Sequence, residues 1–154
     1  MGEIGPILMA TDFSRNSALA LDLAATLAHR FDEEVVLLHV DDSLTSAPPD
    51  EAGTARRELA RLELGRCRRM LEAQGVRARV MLRPGDPARE ILRVAAAHMP
   101  GVIVVGTHGV SAAKTPLLGS VADRVMRYAP HPVLVVPDPA RRPAGTFSGF
   151  AVAD

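Results

Sequence analysis

A chain of 154 residues with 47% hydrophobic and 23% charged side chains is sized for one soluble domain that buries roughly two-thirds of its unfolded surface. Eighteen basic and eighteen acidic residues cancel, which disfavours bulk electrostatic binding to nucleic acid or an anionic membrane. One cysteine, Cys67, excludes an internal disulfide and a cysteine-built zinc site, and no run approaches the ~18 apolar residues of a spanning helix.

The opening MGEIGPILMATDF has neither a basic start nor a long apolar core, so it does not read as a signal peptide and a reducing, cytoplasmic setting is expected. Ile7-Leu8-Met9-Ala10 is a short buried-strand candidate, followed by the polar Thr11-Asp12-Phe13-Ser14. From Ser14 or Asn16 to about His29 an apolar helix with a polar N-cap is expected. Val35 to Val40 is continuous and rich in β-branched residues, the pattern of a strand buried on both faces.

Asp41 to Gly53 reads as a loop, and a charged helix runs from about Thr54 to Ala73. On that helix Leu59, Leu62, Cys67 and Met70 are expected to line the inner face, with Arg68 and Glu72 pairing outside and Gly75 as the stop. Cys67 has two readings: a small apolar residue facing inward, or a thiol acidified by Arg66, Arg68 and Arg69. Val76 to Leu82 alternates apolar residues with arginines, as a half-exposed edge strand would.

Gly85-Asp86-Pro87 then starts a helix with Asp as N-cap and Pro at its first position, running to about His98. Val102–Val105 is a fourth buried strand, Val121–Ala129 an amphipathic helix, and Pro132–Val136 a fifth strand. Residues 1–137 thus read as one domain and 138–154, rich in Pro and Gly, as a flexible tail. Strands alternating with helices give an α/β fold: a parallel sheet covered on both faces by right-handed crossovers. Ligands of such sheets sit outside the carboxyl ends of the strands, where strand order reverses. Asp12 and Gly106 face a common crevice if the first and fourth strands are neighbours there, with Val40 at its border.

The segment GTHGVSAAKTPLLGSV, Gly106 to Val121, carries the most chemistry. Two glycines stand three apart, nine residues follow, and a Gly-Ser pair closes the loop at a helix start. Free N–H groups and the helix macrodipole there favour an anion, and glycines admit the main chain close to it. The Gly109–Thr115 stretch lacks the Gly before Lys114 that a P-loop needs, no GxGxxG follows the first strand, and no G-x-S-x-G elbow is present. The five histidines show no paired metal spacing, and five aromatic residues do not support a base-stacking surface.

ILMATDFS, LLHV, the pattern G-x2-G-x9-G-S and HPVLVVP together resemble the universal stress proteins, over roughly residues 5 to 137. The complete glycine pattern resembles that family's ATP-binding branch. The resemblance implies a Rossmann-like open five-stranded parallel sheet in the order 3-2-1-4-5, helices on both faces, and a homodimer formed through the last strand. It implies that Ala10, Thr11 and Asp12 border the adenosine, that Val40 contacts adenine, and that Gly106, Thr107, His108, Gly109, Gly119, Ser120 and Val121 hold ribose and phosphates, with ATP as ligand; whether Mg²⁺ accompanies it is left open by the sequence.

Each residue also has a plainer role. Asp12 can cap the first helix, Ser120 can cap the last one, and His108 can be an exposed loop residue. Lys114 is either a phosphate partner or a solvated loop residue, and His39 is expected to make a local hydrogen bond. The functional expectation is an ATP-binding stress-response regulator with slow or absent turnover. The alternatives are an ATP-independent dimeric interaction protein, with a protein partner of unknown identity, and a slow ATPase.

Overall fold

The computed structural model describes residues 3–44, 50–107 and 118–139. The strands β1 (Ile7–Ala10), β2 (Val35–Asp41), β3 (Ala78–Pro84), β4 (Val102–Gly106) and β5 (Val133–Val136) form one wholly parallel sheet. Their order is β3-β2-β1-β4-β5, as expected. The connections carry α1 (Arg15–Phe31), α2 (Glu51–Ala73), α3 (Pro87–His98) and α4 (Ser120–Tyr128).

The period-2 alternation of the strands sorts the core into two layers. Ile7, Met9, Val35, Leu37 and Val104 pack with residues of α1 and α2 on one face. Leu8, Val36, Leu38, Ile103 and Val105 pack with α3 and α4 on the other. Both faces of β1, β2 and β4 are buried, which is why those strands read as unbroken apolar runs.

Helix starts follow local capping chemistry. Ser14 Oγ accepts from the Ser17 amide, and Asp86 Oδ1 accepts from the Arg89 amide at 2.9 Å with Pro87 in the first turn. α2 begins three residues earlier than expected. Asp50 Oδ1 accepts from the Gly53 amide at 2.7 Å, so a cap places Gly53 inside the first turn despite its weak helix propensity. Gly75 follows the end of α2 at φ +76°, the conformation that made it a credible stop.

Two further expectations need correction. The buried stripe of α2 is Ala60, Leu64 and Leu71, with half-buried Cys67 beside them, whereas Leu59, Leu62 and Met70 are 62%, 60% and 47% exposed. The true stripe is spaced 4, 3 and 4 residues apart, a proper helical face. Residues 59, 62 and 70 form a second stripe that periodicity alone could not tell from it. The edge strand β3 begins at Ala78 and not Val76, because Val76 turns in as a buried plug beneath α2 before pairing with β2 starts.

Candidate functional site

Strand order reverses between β1 and β4, since β1 connects outward to β2 on one side and pairs with β4 on the other. At the carboxyl ends of these strands lies a cavity of about 520 Å³, within the ~300–1,000 Å³ usual for small-molecule sites. Its apolar lining comes from Leu38, Ile91, Val105 and Ala122 of the α3/α4 layer. Its polar wall comes from the segments just past each strand.

After β1, the Thr11 amide donates to the Leu38 carbonyl at 2.8 Å and extends the ladder by one residue. The chain then turns sharply at Phe13, whose φ of +62° is unusual for a bulky residue. The Thr11 hydroxyl accepts from the Phe13 amide at 3.0 Å and holds that turn. Asp12 reaches the cavity with its Oδ1 accepting from the Ser17 hydroxyl at 2.5 Å and the Ser14 amide at 3.0 Å. It is not the cap of α1; Ser14 is, and Asp12 braces the turn that precedes it.

Beside it, His39 Nδ1 lies 2.7 Å from the Thr11 carbonyl, which can only accept, so that nitrogen carries a proton. The hydrogen bond expected for His39 is made, but its partner stands 28 residues away in sequence and not locally; the ring stacks obliquely on Phe13 with centroids 4.4 Å apart. Val40, Asp41 and Asp42 continue the wall from β2.

On the β4 side, the Thr107 amide donates to the Val136 carbonyl at 3.0 Å, and the Gly119 amide donates to the Thr107 carbonyl at 2.6 Å. These bonds hold the start of α4 against the end of β4, so Gly106, Thr107, Gly119, Ser120 and Val121 share one wall of the cavity. The N-cap of α4 is Gly119, not Ser120, and no side chain caps it. Ser120 is instead the first helical residue. Gly119 has φ −63°, a value any residue adopts, so its backbone does not demand glycine. Gly106 is different. Asn16 Oδ1 lies 2.6 Å from where a Cβ would stand on it.

Nine of the residues expected at the site fall among the described ones, and all nine line this cavity. His108, Gly109 and Lys114 lie outside the described residues. The cavity also takes residues that the sequence reading assigned elsewhere or passed over: Ser17, Asp86, Pro87 and Arg124. Asp86 was legible only as a cap, yet every strand-to-helix junction in a parallel sheet lies at this same edge, a signal that could have placed it. Arg124 stands four residues after Ser120, hence on the same helical face.

Asp86 and Arg124 meet at 2.8 Å. The bond from Arg124, with the Arg89 amide, holds the Asp86 carboxyl below the ordinary carboxylate range, and the same bond raises the Arg124 guanidinium. Among the described residues no three carboxylate, His or Cys groups converge as a metal site.

The universal stress protein family model matches residues 3–137 of the chain. A universal stress protein of Methanocaldococcus jannaschii, MJ0531, is 35% identical over 141 residues, covering 88% of this chain and 83% of its own. The solved structure of protein MJ0577 from the same organism has 30% identity and a TM-score of 0.76, covering 89% of this chain and 98% of its own. A universal stress protein of Archaeoglobus fulgidus, solved in complex with dAMP, has 21% identity and a TM-score of 0.69, covering 86% and 97%. At that identity the likeness is one of fold.

Proposed function

The chain belongs to the universal stress protein family, and we propose that it binds an adenine nucleotide, ATP, as a regulatory ligand in a cytoplasmic stress response. One observation carries this reading. Residues from the ends of β1, β2 and β4 and from the start of α4, far apart in sequence, converge on a single cavity of about 520 Å³ at the switch point of the sheet. The uncapped start of α4 offers backbone N–H groups to phosphate oxygens at that cavity. The dAMP complex of a relative with the same fold supports an adenine ligand.

In this reading Ala10, Thr11, Asp12 and Val40 border the nucleoside, while Gly106, Thr107, Gly119, Ser120 and Val121 hold ribose and phosphates, with His108 and Gly109 completing the cradle. β5 is the edge of the sheet on that side, and its outer edge is where a second copy would pair to form a homodimer. Ligand occupancy would then bias the dimer or a partner surface.

Calorimetric titration of the purified protein with ATP and Mg²⁺ tests the central claim. Saturable heat and a raised melting temperature are expected, and a bulky Gly119→Leu variant, which the backbone tolerates, loses both. No heat and no thermal shift at millimolar ATP would overturn it. Sedimentation of the same sample, alone and with ATP, reads the dimer.

A further inference from the structure

We infer that Arg124 reads the phosphate charge of the ligand and that Asp86 competes for it, so that the pair sets how strongly the site distinguishes a phosphorylated nucleotide from its nucleoside. The inference rests on the adenine-nucleotide reading above and names the residues that would tune it.

Charge along the described part of the cavity wall is mostly negative. Among the described residues that line it, the carboxylates are Asp12, Asp41, Asp42 and Asp86, and the single guanidinium is that of Arg124. Asp12 is engaged by Ser17 and Ser14, and Asp41 by Ser43. Arg124 is therefore the cation within the described wall that can answer a phosphate, and it is already committed to Asp86 at 2.8 Å.

Its position suits a transfer. Helical side chains lean toward the N-terminus of their helix, so a residue four positions after Ser120 projects back over the uncapped first turn of α4. A phosphate on those amides lies within the sweep of the guanidinium. The pair that must open is nearly half exposed on both sides, and such pairs are held weakly. A phosphate offers Arg a bidentate, doubly charged alternative. Asp86 remains capped to the Arg89 amide when Arg124 leaves, so α3 keeps its start. A competitor that occupies the binding group lowers apparent affinity by the fraction of time it holds it.

The test uses the full chain and four probes, adenosine, AMP, ADP and ATP, titrated calorimetrically at one ionic strength. In Arg124→Gln the ratio of ATP to adenosine affinity falls about tenfold, as loss of a charge-assisted contact predicts. Arg124→Lys restores part of it. In Asp86→Asn, which preserves an N-cap, that ratio rises several-fold, and the rise disappears when Arg124→Gln is added. Equal changes for adenosine and ATP in Arg124→Gln, or a fall of the ratio in Asp86→Asn, would overturn the inference while leaving nucleotide binding intact. Failure of all four probes to bind the unaltered protein would overturn the nucleotide reading and this inference with it.

Discussion

Asn16 occupies the space that a side chain on Gly106 would need. Its Oδ1 lies 2.6 Å from the position of a Cβ there, while its Nδ2 donates to the Val136 carbonyl at 3.0 Å and its Oδ1 accepts from the Thr107 hydroxyl at 3.2 Å. One buried amide thus ties the first helix to the ends of β4 and β5. The glycine after β4 is demanded by that packing, whatever approaches from the cavity side.

Gly106→Ala should therefore destabilise the fold by about 1–3 kcal/mol, because Asn16 must rotate and leave buried hydrogen-bonding groups unmatched. In an Asn16→Ala background the same change should cost much less. Urea unfolding of the four proteins measures the difference as a coupling energy. Additive costs would mean that the clash is relieved elsewhere.

The two stripes of α2 should respond oppositely to truncation. Leu64→Ala removes a side chain that is 2% exposed and should cost about 2–4 kcal/mol. Leu62→Ala, on the solvent side, should change stability by no more than about 0.5 kcal/mol. Denaturation midpoints decide between this face and the one periodicity first suggested.

Cys67 should be a sluggish nucleophile. Burial raises its thiol above the ordinary range, Glu63 raises it further, and Arg66 opposes them less strongly. Alkylation of the native protein at pH 8 should be slower than that of the unfolded chain, with the rate still climbing above pH 9. A fast reaction near neutrality would restore the reading in which the neighbouring arginines activate the thiol.

Asp86 should titrate below an ordinary aspartate. Its folded value lies under its unfolded one, so its contribution to stability is complete above about pH 4 and is lost as pH falls through the folded value. The contribution is small, since both partners are close to half exposed and solvent screens them. A carboxyl chemical-shift titration should show the midpoint rising toward the ordinary value in Arg124→Gln. An unmoved midpoint would assign the effect to the Arg89 amide instead.

Local signals in the chain determined a good deal of this protein. Apolar runs between capping residues marked five strands and four helices, because capping and strand burial depend on neighbours a few residues away. Boundaries slipped where a cap outweighed propensity, as at Asp50, or where an apolar residue plugged the core before pairing began, as at Val76. The two described ends of the Gly106–Val121 segment mark one wall of the cavity, and the ends of β1 and β2 mark the other. What the tertiary structure alone decided involves residues brought together across the fold: Asn16 against Gly106, Asp86 against Arg124, and which stripe of α2 meets the sheet. Periodicity reveals that a helix has an apolar face but not which of two overlapping faces is covered. A crossover also sets side by side residues whose distance in the sequence carries no trace of their contact.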